Sequence, residues 1–165
     1  YKLMQNCRNL PRIGYQVNLL SHLQPGYEQF RRQDDGIDPV FRQYQAGQDQ
    51  STLLTIAIRG LRADGYELSE IVVLSPLRAA STAATTRDPG RRQILKPADG
   101  LGARPGQVRY STIHAFKGLE APAVVVTDLD ETTTTDNFDS LLYVGLTPPP
   151  IASSHSLKPG HSVTP

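Results

Sequence analysis

Apolar positions along the chain follow two kinds of spacing, one helical and one made of short unbroken runs. The clearest helical pattern covers residues 51–64, where the spacing of three and four residues places the apolar side chains on one stripe. The stripe and its flanks consist of Leu54, Ile58, Leu61, Leu53 and Ala57. Ser51 is predicted to cap the start of this helix and Gly65 to close its end.

Unbroken apolar runs predict strands that are buried on both faces of a sheet. The run EIVVLSP at 70–76 is the clearest, and a second strand is predicted to end near Thr112. A third is predicted at Val124–Thr127. Between the first two, the composition predicts a helical turn at Pro76–Ala84, a mobile loop and a short strand at Gln93–Lys96. Alternating strands and helices predict an α/β fold with a mostly parallel sheet.

The two ends of the chain give weaker patterns. A strand is predicted to end at Leu3 and Met4, followed by a helix with Asn9 as its N-cap and Pro11 in its first turn. Asp35-Gly36 predicts a turn, and residues 137–146 predict a helix. These elements define one domain at 1–147, and the polar, aperiodic residues 148–165 are expected to form an irregular tail.

Composition narrows the class of protein only a little. The formal net charge of +1 leaves nucleic-acid binding open, because a basic groove can lie on a balanced surface. A single cysteine, Cys7, allows no internal disulfide, and a reducing, cytoplasmic setting is expected. No apolar run approaches the roughly 20 residues that cross a bilayer. The four histidines lack the spacing of a metal site, so no metal is expected.

Three segments carry sequence motifs, and the central one is the most specific. They are QNCRNLPRI at 5–13, STIHAFKGLEAPAVVV at 111–126 and LLYVGLT at 141–147. In this order they resemble the motifs of the second RecA-like domain of UvrD-like superfamily 1 DNA helicases. Cys7 stands where the family usually has an aromatic residue. The resemblance implies a three-layer RecA-like fold and an ATP-dependent parent helicase.

The resemblance also implies a role for residues on the nucleotide side. Such motors hold ATP between two RecA-like domains, and hydrolysis requires positive charge against the phosphates. Arg8 is expected to point at the γ-phosphate as the catalytic arginine, and Glu120 to accept a hydrogen bond from the ribose. Gly118 is expected to permit a tight turn, and Tyr143 to lie near the nucleotide. Outside the motif, Arg8 would read as an ordinary surface arginine.

On the DNA side, the resemblance assigns Thr112, His114 and Lys117 to single-stranded DNA. The expected partners are therefore single-stranded DNA and the N-terminal RecA-like domain of the parent helicase. Because one short segment would touch both ligands, it offers a route for coupling the ATP state to the grip on DNA. Without the motif, His114 and Lys117 would more often be solvent-facing side chains.

Two departures from the family pattern limit the expected activity. The chain contains no Gly-Lys-Ser/Thr phosphate loop. ATP and Mg²⁺ are therefore expected only in the intact parent, and the isolated chain is expected to be inactive. After Thr147, where the family has arginine, the chain has Pro148–Pro150. A one-base frameshift or a truncation is expected here, since one skipped base can restore both an arginine and an apolar strand.

The segment VVVTDLDE at 124–131 looks like a magnesium-binding strand of a complete NTPase. Because it directly follows the Lys-Gly-Leu-Glu motif, it is interpreted as an ordinary core strand. Asp128, Asp130 and Glu131 are then expected to be loop carboxylates that face solvent.

Two other functions fit the same motifs. One is a non-catalytic nucleic-acid-binding module that kept the fold and lost the motor. The other is a regulatory or protein-interaction domain in which the motifs survive only as structure. Salt-dependent binding of single-stranded DNA would favour the first of these over the second.

Overall fold

The computed structural model describes residues 5–6, 11–12, 15, 29–30, 39–45, 48–98, 104–116 and 121–129. Two short parallel strands, β1 (Gln5–Asn6) and β2 (Gln29–Phe30), pair with each other. Pro11, Arg12 and Tyr15 are helical, in agreement with the helix predicted after Asn9. The strand end predicted at Leu3–Met4, the Asp35-Gly36 turn and everything predicted beyond residue 129 lie outside the described residues.

A four-stranded parallel sheet forms the centre of the described fold. Its strands are β3 (Ile71–Ser75), β4 (Leu95–Pro97), β5 (Val108–Thr112) and β6 (Ala123–Val126). Their order is β4-β5-β3-β6, so the most apolar strand, β3, lies inside the sheet. All five residues of β3 are buried, as the run EIVVLSP predicts. The parallel α/β architecture, consistent with a RecA-like domain, is therefore confirmed.

Helix α1 (Ser51–Ala63) covers one face of the sheet, within one residue of its predicted bounds. Leu54 and Ile58 are buried and Leu61 is packed against them, which confirms the predicted stripe. The predicted cap is wrong by one residue, because Gln50 is the N-cap and Ser51 already belongs to the helix. Asp49 accepts hydrogen bonds from the side chain and backbone of Ser51, and these bonds lower the pKa of the Asp49 carboxyl.

Gly65 ends helix α1 as predicted, with φ of +96°. Its N–H donates to the carbonyl of Arg62, and the N–H of Tyr66 donates to the carbonyl of Leu61. This pair of bonds is the Schellman arrangement, which needs a residue in the left-handed region just after the helix. The conformational freedom of glycine is therefore used at this position.

Alanine substitutions at two glycines of this region are expected to have opposite effects. Gly65→Ala is expected to lower the free energy of unfolding by about 1 kcal/mol, because an L side chain is strained at positive φ. Gly60→Ala is expected to raise it by about 0.5–1 kcal/mol, since Gly60 lies inside helix α1. An added Cβ meets nothing within 4 Å at either glycine, so backbone conformation alone decides the sign. Urea unfolding of both variants measures the change in the free energy of unfolding. A change of the same sign in both variants would contradict the roles given to the two glycines.

The segment between β3 and β5 contains more helix than its sequence suggested. A short helix, α2 (Thr82–Thr85), lies at the end of the predicted turn, and α3 (Pro89–Ile94) occupies the predicted loop. The Asp88 side chain accepts a hydrogen bond from the N–H of Arg91, and Pro89 occupies the first turn of the helix. Asp and Pro here start a helix rather than a loop. As a result, β4 begins two residues later than predicted.

The two faces of the sheet have separate apolar clusters. On the α1 face, Ile71 and Val73 pack with Leu54, Ile58 and Val108. The opposite face has a smaller cluster, whose buried members are Val72, Leu74, Ile113, Phe116 and Ala121. Ile113 and Phe116 come from the segment that follows β5, so this segment is part of the core. In the described part of the chain, no helix is long and apolar enough to span a membrane.

Candidate functional site

The carboxyl ends of β3, β5 and β6 meet at one edge of the sheet, which is where ligands bind in open α/β sheets. Ser75 and Thr112 are register partners at the ends of β3 and β5. The N–H of Ile113 donates to the carbonyl of Ser75 at 3.0 Å, and the N–H of Thr127 donates to the carbonyl of Leu74 at 2.9 Å. The chain therefore leaves all three strands at adjacent points, and the side chains that follow them lie close together.

A tight turn follows β5 and presents His114. The Thr112 hydroxyl accepts a hydrogen bond from the N–H of Ala115 at 3.1 Å, and the Thr112 carbonyl accepts one from the N–H of Phe116 at 3.0 Å. Ile113 is fully buried and Phe116 is 4% exposed, whereas His114 between them is exposed. Two buried anchors and two hydrogen bonds thus hold an imidazole at the carboxyl edge.

Asp128 is the most heavily hydrogen-bonded side chain in the described part of this edge. It follows β6, is only 6% exposed and has φ of +60°. Its carboxylate accepts from the Ser75 hydroxyl at 2.7 Å, the Thr127 hydroxyl at 2.8 Å and the N–H of Thr82 at 3.1 Å. The Thr82 hydroxyl also donates to it. Four donors satisfy the buried carboxylate, which is the condition under which a buried charge is tolerated.

Gln50 connects the start of helix α1 to Asp128. Its side-chain oxygen accepts from the N–H of Asp128 at 3.0 Å, and its side-chain nitrogen lies 3.5 Å from the carboxylate. Through Asp128, the ends of β3 and β6 are therefore connected to the starts of α1 and α2. The Tyr44 hydroxyl donates to the carbonyl of Leu129, the residue after Asp128, so the loop at 39–45 also reaches this edge.

The expectation that Asp128 faces solvent is wrong. A loop carboxylate usually stays hydrated, but here the donors of three other segments replace the water. Asp130 and Glu131 lie outside the described residues. Within the ranges that the structure describes, no group of three or more His, Cys, Asp or Glu side chains is placed to hold a metal ion. Residues 123–126 form the strand β6, with Ala123 buried, as interpreted from the sequence.

Sequence reasoning missed the partners of Asp128, namely Gln50, Ser75 and Thr82. A signal for part of this set exists in the sequence. Ser75 and Asp128 each lie at or just after the end of a buried strand, and the carboxyl ends of parallel strands share one edge. The Ser81 side chain accepts from the N–H of Ala84, so the Ser-Thr pair at 81–82 is recognisable as a helix start. Gln50 gives no such signal.

The structure places two of the seven predicted site residues. Thr112 ends β5, half-buried, and His114 follows it in the exposed turn. Both lie at the carboxyl edge, beside the strand end of Ser75. The remaining five lie outside the described residues: Arg8, Lys117, Gly118, Glu120 and Tyr143. Their convergence with the edge stays a prediction.

Comparison with known proteins gives one finding. Residues 107–147, about a quarter of the chain, match the family model of the UvrD-like helicase C-terminal domain. Searches of curated proteins and of solved structures gave no significant match. The matched segment begins just before β5 and contains the His114 turn, β6 and Asp128. Together with the parallel α/β sheet, the match is consistent with residues 107–147 being part of a UvrD-like helicase C-terminal domain.

Proposed function

We propose that this chain is a motor-domain part of an ATP-dependent DNA helicase. In this proposal it supplies the arginine side of the ATP cleft between two RecA-like domains and part of the track for single-stranded DNA. The parent couples ATP hydrolysis to movement along the strand. The N-terminal RecA-like domain contributes the phosphate loop, since this chain has no Gly-Lys-Ser/Thr sequence.

The observation that carries the proposal is the turn after β5. His114 is exposed, while Ile113 and Phe116 on either side are buried in the core. An exposed imidazole on a fixed turn can stack on a nucleobase or donate to a phosphate, both common contacts with single strands. Thr112 fixes the turn through its hydroxyl and carbonyl, so its role is to position His114 as much as to contact DNA.

The nucleotide side of the proposal rests on the sequence motifs alone. Arg8 is proposed to approach the γ-phosphate, and Glu120 to accept from the ribose hydroxyl. Gly118 and Tyr143 are proposed to shape the same side of the cleft, and Lys117 to meet the DNA backbone. ATP with Mg²⁺ would supply the transferable phosphoryl group in the intact parent; the isolated chain would bind it weakly and would not hydrolyse it.

His114→Ala is expected to weaken binding of a fluorescently labelled oligothymidylate by about tenfold, the cost of losing one stacking or phosphate contact. Fluorescence anisotropy with the full chain at low salt measures it. Ile56→Ala is the matched control, because Ile56 is an exposed side chain in the middle of helix α1. Its binding should equal that of the unmodified chain.

Circular dichroism of both variants should match the unmodified chain, because neither side chain is buried. Equal DNA affinity of His114→Ala and Ile56→Ala would remove the DNA track from the proposal. A chain that binds no single-stranded DNA at all would favour the protein-interaction alternative.

A further inference from the structure

Positive charge is concentrated in one segment of this nearly neutral chain. Residues 76–112 contain seven Lys and Arg against two Asp, a net charge of +5. The rest of the chain contains ten Lys and Arg against fourteen Asp and Glu, a net charge of −4. The overall value of +1 therefore hides a strong asymmetry, and asymmetry of this kind marks a surface for a polyanion.

The fold gathers part of this charge at the β4 side of the sheet. The Nζ of Lys96 donates to the backbone carbonyl of Arg92 at 2.9 Å. Lys96 and Arg109 are register partners on β4 and β5, where neighbouring strands lie about 4.8 Å apart. The carbonyl of Arg104 accepts from the N–H of Gln107 in the turn that leads into β5. We call Arg92, Lys96, Arg104 and Arg109 the basic edge.

No acidic side chain in the described part of the chain neutralises the basic edge. Like charges on directly opposite strand positions destabilise a sheet. The buried Nε of Arg109 has no hydrogen-bond acceptor among the described residues. No described carboxylate forms an ion pair with any of these four side chains. The nearby Asp88 pairs with Arg91 instead, with its Oδ1 3.9 Å from the Arg91 Nε. Arg92 and Arg104 are exposed.

The basic edge is separate from the His114 turn. Leu95 and Val108 begin β4 and β5, so Arg92 and Arg104 precede the amino ends of these strands, whereas His114 follows a carboxyl end. One contact with DNA therefore cannot account for both. Lys96 and Pro97 could simply protect an edge strand from pairing with other chains. That role does not require the exposed arginines before the two strands.

We infer that the basic edge is a second nucleic-acid contact, which binds the phosphate backbone independently of the His114 turn. The choice of nucleic acid as the polyanion rests on the proposed function. Arginine and lysine side chains without base-reading partners recognise phosphates, so this contact is independent of sequence.

The test compares two double variants of the full chain with equal charge. Arg92→Gln with Arg104→Gln removes two exposed cations of the basic edge. The control, Arg59→Gln with Arg62→Gln, removes two exposed cations of helix α1. Affinity for labelled oligothymidylate is measured by anisotropy across a salt series. Each lost phosphate contact makes the negative slope of log affinity against log salt shallower by about 0.7. The basic-edge variant should then lose about sevenfold less affinity than the control over a roughly fourfold rise in salt.

Equal slopes for the two double variants would overturn the basic edge while leaving the His114 contact untouched. The converse result, in which His114→Ala binds normally and only the basic-edge variant is impaired, supports this inference and removes the proposed track. Polyglutamate serves as a competitor at matched charge concentration. If it displaces the oligonucleotide as well as unlabelled DNA does, the basic edge is a site for an acidic protein and the nucleic-acid assignment is wrong. A chain without affinity for DNA overturns both proposals.

Discussion

Asp128→Ala is expected to lower the free energy of unfolding by about 2–5 kcal/mol, because several buried donors lose their acceptor at once. The donors are the hydroxyls of Ser75 and Thr127 and both the N–H and the hydroxyl of Thr82. Each unsatisfied buried donor costs about 1–3 kcal/mol, and water entering the gap recovers part of it. Urea unfolding monitored by circular dichroism measures the loss.

Asp128→Asn separates the role of charge from that of shape. Asparagine is tolerated at a φ of +60° and keeps one acceptor oxygen, but its NH₂ group faces donors. Asp128→Asn is expected to lower the free energy of unfolding, but by less than Asp128→Ala does. Asp64→Asn is the matched control, because Asp64 is exposed at the end of helix α1 and should change stability by less than about 0.5 kcal/mol. If Asp128→Asn and Asp64→Asn changed the free energy of unfolding equally, the hydrogen bonds of the buried Asp128 carboxylate would not stabilise the fold.

Ile113→Ala is expected to cost about 2–5 kcal/mol, since it removes a fully buried side chain from the smaller apolar cluster. Ile113 is also the residue before His114, so the turn that presents the imidazole loses an anchor. Weaker DNA binding is expected along with lower stability. Chemical unfolding and anisotropy on the same preparation measure the two effects.

The same substitution at an exposed isoleucine provides the control. Ile56 is 43% exposed on helix α1, and Ile56→Ala should change stability by less than about 0.5 kcal/mol. Where Ile113→Ala does not fold, Ile113→Val should still fold with a loss of about 0.5–1.5 kcal/mol. A loss at position 113 no greater than at position 56 would contradict the assignment of the post-β5 turn to the core.

Ser75 makes hydrogen bonds both to the buried Asp128 and to the turn that carries the proposed site. The Ser75 carbonyl accepts from the N–H of Ile113, and the Ser75 hydroxyl donates to Asp128. Ser75 therefore links the turn that carries His114 to the carboxylate that holds the starts of α1 and α2. A substitution at Asp128 is therefore expected to affect the proposed DNA-binding turn through Ser75, although Asp128 itself is buried.

The sequence by itself determined the local elements and the family resemblance. The stripe of helix α1, the buried run of β3 and the glycine that ends α1 follow from spacing and backbone conformation, which neighbouring residues specify. The central motif at 111–126 likewise needs only the order of residues, and the family match at 107–147 confirms it. The start of α3 was within reach too, since Asp88 and Pro89 carry a cap signal.

Only the tertiary structure decided what surrounds each polar side chain. Asp128 is buried because hydrogen-bond partners 46, 53 and 78 residues away in the chain converge on it. Lys96 and Arg109 become neighbours only because β4 pairs with β5. Periodicity reports which side of an element is apolar, whereas the desolvation of a given carboxylate or guanidinium depends on distant segments that no local pattern encodes.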